Sequence, residues 1–279
     1  MKTRIRPLVV LVLLLSACGG TAAKVDSRSS GAGPGPLAGR GAIELVSEGY
    51  GFTEGPQWMP KDGVLRFTAD NSIFQVAAND NVTTFRKPSN GANGLALDPE
   101  GRMIAAEADA RRVTRTESDG TVTPIAQRFE GHRLNQPNDL AVRSDGTIYF
   151  TDPTFGDADS VSELDFHGIF RIAPDGALTA ERRGAVSELP NGVALSPDER
   201  RLYVSDYGNA LVWMFDVAAD GSLSEARTFV HADGPDGMAV DVAGNLYVAT
   251  ATGIAVFAPD GKPWDTILVP KVPSNCAFG

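Results

Sequence analysis

The chain has 279 residues, 42% of them hydrophobic and 22% charged, which is an ordinary globular composition. Its formal net charge of −10 argues against a nucleic-acid partner, because a protein that reads a phosphate backbone needs a basic surface. The acidic balance suits a protein that binds a cation or an uncharged substrate.

The N-terminus has the features of a secretion signal. Three basic residues within the first six precede the apolar run Pro7–Leu15, which is too short to span a bilayer as a stable helix. The run ends in Leu-Ser-Ala followed by Cys18, an order that resembles the lipobox of bacterial lipoproteins. This resemblance implies cleavage before Cys18, lipidation of Cys18 and a location in the bacterial cell envelope. An ordinary cleavage site beside an incidental cysteine is the alternative.

We therefore divide the chain into three parts. Residues 1–17 are the predicted lipoprotein signal peptide, and residues 18–42, rich in Gly, Ala, Ser and Pro, are a predicted lipidated cysteine and flexible tether. Each buried methylene of the acyl chains contributes about 0.8 kcal/mol to membrane binding, and we expect this anchor to be the only membrane contact. A lipidated Cys18 leaves Cys276 without a disulfide partner in the chain. Residues 43–279 are the predicted folded domain.

A repeated unit dominates the folded domain. In Leu134–Gly156, a Pro-Asn-Asp turn precedes a short apolar strand, an Asp-Gly hairpin signal and a second strand of β-forming residues. Polar residues at matching positions start the successive units at intervals of 39 to 53 residues: Glu54, Asn93, Asn138, Asn191, Asp236 and Asn275. Four short strands in a period of this length are the signature of a β-propeller blade.

Turn signals predict further strands in chain order. They fall at Val64–Thr68, Ser72–Ala77, Asn81–Phe85, Val113–Glu117, Val122–Ala126, Leu140–Val142, Thr147–Phe150, Gly168–Ala173, Leu178–Glu181, Leu211–Val217 and Ile254–Phe257. No apolar pattern with the 3.6-residue period of a helix continues for ten residues. The sequence therefore predicts an all-β protein.

The unit count predicts a six-bladed β-propeller whose sixth blade is incomplete at the C-terminus. Five complete units precede Asn275, where a sixth begins just before Gly279. We expect the natural chain to continue, because an open ring would leave unpaired strand edges. A ring left open at its last blade is the alternative. A strand predicted at Ile43–Val46 would complete the final blade and close the ring.

The repeat starts predict a metal site. The innermost strands of a propeller line its central channel, so the six repeat-start residues should converge at one mouth of that channel. Asn-Gly and Asp-Gly are also common turn pairs, which leaves a purely structural role open for each of these sites. Glu54, however, is a poor turn residue. Two carboxylates with several amide oxygens, and no suitably placed Cys or His, favour a hard divalent cation, calcium before zinc.

Five motifs resemble the gluconolactonase, regucalcin (senescence marker protein) and luciferin-regenerating enzyme family. They are Glu54-Gly55-Pro56-x-Trp58, Gln136-Pro137-Asn138-Asp139, Pro190-Asn191-Gly192-x-Ala194-x-Ser196-Pro197-Asp198, Pro235-Asp236-Gly237-Met238-x-Val240-Asp241 and Asn275-Cys276-Ala277-Phe278-Gly279. The resemblance covers about residues 43–279. It implies a six-bladed propeller that holds one divalent metal, usually calcium, and opens a small lactone. We expect such a protein to be a monomer.

The resemblance also implies roles for individual residues. Glu54, Asn191 and Asp236 match metal ligands, and Asn138 matches an amide that orients the substrate or lies beside the metal. Gln136 stands where regucalcin-like members have an arginine, which argues against their sugar-acid lactone specificity. Asp236 and Asn138 are therefore the predicted catalytic residues, with Asp236 and the metal jointly activating the attacking water. Asn138, Gln136 and Asn93 are the predicted substrate contacts.

Two other functions stay open: phosphotriester hydrolysis with the same cation, and a non-catalytic propeller that serves as a binding platform at the cell envelope. Asp139 and Asp152 are candidate neighbours of the metal site, and each could equally be a turn or strand-end residue. The remaining expectations concern side chains with less specific signals: Trp58, Phe155 and Tyr207 as lining of a substrate cleft or as core, Cys276 as buried, and His132, His167 and His231 as surface loop residues.

Overall fold

The computed structural model describes residues 35–38, 40–156 and 162–279, and the structural statements below refer to these residues. They form five four-stranded antiparallel sheets, each ordered along the chain from its first strand to its fourth, and one two-stranded hairpin. The predicted signal peptide and Cys18 lie outside the described residues. Within the described ranges, no helix is long and apolar enough to cross a membrane.

The strands are assigned as follows, sheet by sheet. The first two sheets contain β1 (Thr53–Met59), β2 (Val64–Ala69), β3 (Ser72–Val76), β4 (Val82–Arg86), β5 (Ala92–Leu97), β6 (Met103–Glu107), β7 (Arg112–Thr116) and β8 (Val122–Ala126). The hairpin of β9 (Arg128–Phe129) and β10 (His132–Arg133) precedes β11 (Leu140–Val142), β12 (Ile148–Asp152), β13 (His167–Ile172) and β14 (Leu178–Gly184). The last two sheets contain β15 (Pro190–Leu195), β16 (Arg201–Asp206), β17 (Leu211–Asp216), β18 (Arg227–His231), β19 (Met238–Val240), β20 (Leu246–Thr250), β21 (Gly253–Phe257) and β22 (Pro263–Ile267).

The sheets pack face to face as blades. Every residue of β6, β12 and β20, the second strands of three sheets, is buried. Neighbouring blades cover both faces of these strands, which explains why they are mostly apolar rather than alternating. The outermost strands β4 and β22 are mostly solvent-accessible.

The innermost strands surround a central channel. A cavity of about 320 Å³ is lined by residues from the first strand of all five blades and from the C-terminal segment, among them Gln57, Leu97, Val142, Leu195, Ala239 and Phe278. The predicted all-β propeller arrangement is therefore confirmed.

The described residues contain five blades rather than the six predicted, and residues 274–279 form no strand. This C-terminal segment nevertheless lies between the last blade and the first. The Gly237 N–H donates to the carbonyl of Ser274 at 2.8 Å, and the Ser274 hydroxyl donates to the carbonyl of Thr53. The segment thus contacts the inner strands of both flanking blades, without the outer strands that would make it a blade.

The strand predicted at Ile43–Val46 is wrong. These residues pair with no strand in the described part of the chain, and the Ile43 side chain is exposed. The sixth blade in which this strand was expected to pair is not among the five blades formed by the described residues. Val46 and Tyr50 instead pack on the first blade, and Leu37 packs on the fifth. The N-terminal segment therefore contacts both blades that border the gap.

Candidate metal and active site

The six repeat-start residues meet as a closed ring, which we call the repeat-start ring: Glu54, Asn93, Asn138, Asn191, Asp236 and Asn275. Local irregularities in the inner strands position them. The strand register shifts between Glu54 and Gln57, and equivalent shifts occur in β5 and β15. In blades three and five, Asn138 and Asp236 directly precede β11 and β19. Bulges of this kind re-aim side chains away from the regular pleat.

Glycines allow neighbouring ring members to approach closely. A Cβ on Gly55 would collide with the Asn93 carbonyl, a Cβ on Gly192 with the Asp236 carbonyl, and a Cβ on Gly237 with the Asn275 amide. Gly94 likewise faces Asn138, and its N–H donates to the Asn138 carbonyl at 2.7 Å. A turn interpretation requires the Asn-Gly and Asp-Gly pairs to close hairpins, and they do not. They bring one blade's repeat start against the next.

Hydroxyl groups hold the ring members in place. Thr68, Thr151 and Ser205 are the penultimate residues of the second strands of their blades, and they donate to the carbonyls of ring residues in the next blade. The acceptors are Asn93 at 2.8 Å, Asn191 at 2.6 Å and Asp236 at 2.9 Å, respectively. Since the backbone is fixed at each of these points, the ring side chains are oriented before any ligand binds.

The side chains of the ring connect to one another. Asn275 Nδ2 donates to Glu54 Oε2 at 2.8 Å, which closes the ring across the gap between the last and first blades. The Gly55 N–H donates to the same oxygen at 3.1 Å. The Asn191 side chain hydrogen-bonds to the Asp236 carboxylate. Besides burial, the charge of Asp236 raises the pKa of Glu54, so the three predicted metal ligands, Glu54, Asn191 and Asp236, lie close together.

A third carboxylate, Asp139, belongs to this group. It is buried and lines the channel, with Oδ1 accepting the Leu140 N–H at 2.9 Å and Oδ2 the Val193 N–H at 3.1 Å. Asp139 therefore links blades three and four at the ring. The sequence signal was available, because Asp139 stands where a glycine follows the ring residues Glu54, Asn93, Asn191 and Asp236.

Uncompensated negative charge is concentrated at the ring. Burial, followed by the charge of Asp236, raises the pKa of Glu54 well above its ordinary value. Burial, followed by the charge of Asp139, raises the pKa of Asp236 to about 7, and burial raises the pKa of Asp139 to about 6. No Lys or Arg stands within two residues of any ring member. A divalent cation would compensate these charges.

The donor set fits a hard cation. Asn93 Oδ1 is buried and has no hydrogen-bond partner in the described structure, so one amide oxygen is still available. Among the described residues, no three His, Cys, Asp or Glu side chains group as a metal cage. A site here must therefore combine carboxylate and amide oxygens, which are calcium-type ligands.

The other predicted site residues fall into two groups. Asn138 is buried in the ring, and its N–H donates to the Thr151 carbonyl at 2.8 Å. Gln136 is partly exposed, and its Oε1 accepts the Phe155 N–H at 3.0 Å, so it supports a loop beside the ring. Asp152 is buried at the end of β12, where its Oδ2 accepts the Asn135 N–H at 2.8 Å.

The prediction for His167 is wrong, whereas the prediction for Cys276 is confirmed. All three histidines lie in strands rather than loops, and His167 is buried, so the surface prediction is wrong for it. Its Nε2 lies 2.7 Å from Thr154 Oγ1 and its Nδ1 2.6 Å from the Glu188 carbonyl, an inter-strand structural role. Cys276 is buried as predicted. Burial raises the pKa of its thiol to about 12, which keeps it protonated and poorly nucleophilic.

Comparison with known proteins agrees with this architecture. A gluconolactonase of Zymomonas mobilis subsp. mobilis is 32% identical over 272 residues, which cover 85% of this chain and 76% of that protein. The diisopropyl-fluorophosphatase of Loligo vulgaris is 29% identical over 180 residues, 58% of this chain and 57% of that protein. The solved structure of a gluconolactonase from Xanthomonas campestris superimposes with a TM-score of 0.75 at 34% identity, covering 81% of this chain and 78% of the other. Residues 52–279 match the family described as the SMP-30/Gluconolactonase/LRE-like region, and the chain belongs to that family.

Proposed function

We propose that the protein is a calcium-dependent hydrolase that opens lactones, with a sugar lactone such as gluconolactone as the reference substrate. The observation that carries this proposal is the closeness of carboxylate and amide oxygens at the repeat-start ring: besides burial, the charges of Asp236 and Asp139 raise the pKa of Glu54, and Asn191 hydrogen-bonds to Asp236. Similarity to gluconolactonases over most of the chain supports the reaction class.

Glu54, Asn191 and Asp236 would hold the cation. When bound, calcium would polarise the lactone carbonyl and compensate the negative charge that develops on its oxygen. Of the three carboxylates, Asp236 is the one that is partly exposed, so it can contact a water molecule entering from the mouth. Asn138, fixed by its backbone hydrogen bonds, would orient the substrate.

Asp236 and one water molecule provide the proton transfers of the reaction. Asp236 accepts a proton as the water oxygen bonds to the carbonyl carbon. The C–O bond of the lactone ring then breaks, and the released alkoxide takes up that proton. The product is a hydroxy acid.

The proposal is tested by following acid release from gluconolactone in a pH-stat. We expect hydrolysis above the spontaneous rate, loss of that excess after treatment with a chelator, and recovery on addition of calcium. Glu54→Gln should abolish the excess, whereas Asp119→Asn, on an exposed turn, should leave it unchanged. Hydrolysis that is equal in the chelated and calcium-loaded protein would refute the metal dependence.

Phosphotriester hydrolysis is the second candidate, favoured by the match to diisopropyl-fluorophosphatase. It uses the same polarising cation, so Glu54→Gln cannot separate the two reactions. Fluoride release from diisopropyl fluorophosphate, measured beside the lactone assay, can. If neither substrate is turned over and the purified protein binds no metal, the non-catalytic binding platform becomes the preferred function.

We also propose that the propeller is six-bladed, with residues 274–279 as the start of the sixth blade. The contacts of Gly237 and Thr53 with Ser274 support this placement. Ser274→Ala tests the placement of this segment between the last and the first blade, because loss of the hydroxyl contact with Thr53 should lower stability in urea unfolding.

A lipid anchor at Cys18 is proposed from the sequence alone. Incorporation of radiolabelled palmitate that is lost in Cys18→Ser would support this envelope location.

A further inference from the structure

Exposed apolar side chains are concentrated around the mouth of the channel. Phe52, Phe155 and Tyr207 are 51%, 37% and 49% exposed. All three lie on loops at the end of the propeller that carries the repeat-start ring. Further exposed apolar residues lie on the loops that lead to Asn191 and Asn275: Val186, Leu268 and Val272. Clustered exposed apolar surface of this kind commonly marks a binding site.

Backbone contacts place two of the aromatic residues beside the ring. The Phe155 N–H donates to Gln136, two residues before Asn138. The Tyr207 N–H donates to the carbonyl of Leu189 at 3.0 Å, two residues before Asn191. A Cβ on Gly234 would lie 3.6 Å from Tyr207 Cε2, so the tyrosine ring also lies beside the segment that leads to Asp236.

The third aromatic residue, Phe52, stands two residues before Glu54. One residue of extended chain spans about 3.3 Å. The backbones of Gln136, Leu189 and Phe52, each two residues before a ring member, therefore lie within about 7 Å of the ring backbone. The backbones of Phe52, Phe155 and Tyr207 are therefore attached close to the ring in blades one, three and four.

The ring itself offers no basic group to an anionic substituent, and the Arg111 guanidinium near it donates from Nε to the Leu134 carbonyl at 2.6 Å. Gln136 is uncharged, and no Lys or Arg lies within two residues of any ring member. A phosphate or carboxylate on the substrate would approach Glu54, Asp139 and Asp236 without a protein cation to pair with. A single bound divalent cation would be offset by these carboxylates, so it would leave no excess positive charge to attract the anionic substituent.

We propose that the mouth selects uncharged lactones that carry a planar apolar group, which packs against Phe155 and Tyr207, over lactones that carry a phosphate or carboxylate. This inference rests on the proposed lactone hydrolysis and names its preferred substrate class. Aromatic contacts of this type provide enough free energy to change an affinity several-fold.

The test compares three lactones on the calcium-loaded protein: dihydrocoumarin (aromatic, uncharged), glucono-1,5-lactone (polar, uncharged) and 6-phosphogluconolactone (anionic). We expect kcat/KM to be highest for dihydrocoumarin and lowest for the phosphorylated lactone. Phe155→Ala and Tyr207→Ala should each raise KM for dihydrocoumarin about 3- to 10-fold while kcat and the gluconolactone KM change less than about twofold. Trp264→Ala is the matched control, because Trp264 is exposed on the outermost strand β22.

Two results would overturn the inference. One is a preference for the phosphorylated lactone, and the other is an equal effect of the aromatic substitutions on dihydrocoumarin and gluconolactone. Binding of the lactam 3,4-dihydroquinolin-2-one, measured by calorimetry, separates this failure from that of the proposed function, because a lactam of this kind is not turned over. If no lactone is hydrolysed, lactonase activity is refuted. The proposed aromatic contact is then tested by lactam binding alone: Phe155→Ala and Tyr207→Ala should weaken it, and Trp264→Ala should not.

Discussion

Asp236→Asn should stabilise the protein when no metal is bound. In the chelated protein, Asp236 shares the repeat-start ring with Glu54 and Asp139, and its ionised form is disfavoured by burial and by the Asp139 charge. An asparagine keeps the size of the side chain and can still hydrogen-bond to Asn191, but it carries no charge. The substitution should therefore remove an unfavourable interaction from the folded state without creating a cavity.

The magnitude follows from the pKa of Asp236, which is raised from 3.8 to about 7. Between these values the folded protein keeps a proton that the unfolded chain has released, so stability falls as pH rises through this window. Each pKa unit corresponds to about 1.4 kcal/mol, which gives an upper limit of about 4 kcal/mol above pH 7. Because the side chain is partly exposed, solvent screening reduces the effect, and we expect a gain of about 2 kcal/mol at pH 8.

The assay is urea unfolding followed by tryptophan fluorescence, in EGTA, at pH 4 and pH 8. Asp236→Asn should exceed the parent in stability at pH 8 and match it closely at pH 4, where the parent carboxylate is already largely protonated. Asp119→Asn is the control, because the Thr121 N–H holds the pKa of Asp119 below its usual value and no gain is expected. Excess calcium should stabilise the parent and not the variant. An Asp236→Asn protein less stable than the parent at pH 8 in EGTA would refute this reasoning.

Three further predictions concern structure outside the ligand set. Glu107 is fully buried and accepts hydrogen bonds from Arg86 at 2.9 Å and Arg112 at 2.7 Å, so Glu107→Ala should cost about 3–5 kcal/mol in urea unfolding. Glu107→Gln keeps the size and one acceptor but loses the charge, so it should cost less than Glu107→Ala, and a glutamine variant as stable as the parent would contradict the ionic contribution. Gly192→Ala forces a Cβ against the next blade's backbone and should cost about 1–3 kcal/mol and weaken calcium binding, whereas Gly41→Ala, in open space, should do neither. Burial raises the pKa of Asp152 to about 8, so parent stability should fall between pH 4 and pH 8, and Asp152→Asn should flatten that fall; an unchanged slope would show that Asp152 is ionised at neutral pH.

The repeated units were the part of the fold that the sequence predicted well. Val122–Ala126 and Leu140–Val142 match the observed strands, because alternating β-formers and flanking turn pairs are local signals. The outermost strands Arg227–His231 and Pro263–Ile267 were not predicted. They are mostly exposed and carry charged or polar residues, so no apolar pattern distinguishes them from loops.

The sequence predicted which residues form the candidate site, but not the contacts between blades that hold them together. Glu54, Asn191 and Asp236 could be singled out because repeats place them at equivalent positions. The participation of Asp139 depends on which backbone N–H groups the next blade presents, here that of Val193, and this contact spans 54 residues. The glycines were interpreted as turn residues, although Gly192 and Gly237 serve to let adjacent blades approach. Such contacts between blades have no signature within one repeat.

Calcium binding to the purified protein is the most direct test of the proposed site. Isothermal titration of the chelator-treated chain with calcium should show one site per chain, absent in Glu54→Gln and retained in Asp119→Asn. This pattern is expected because Glu54 is buried in the ring and is linked to Asn275, whereas Asp119 lies on an exposed turn. Stoichiometric calcium binding that persists unchanged in Glu54→Gln would contradict it.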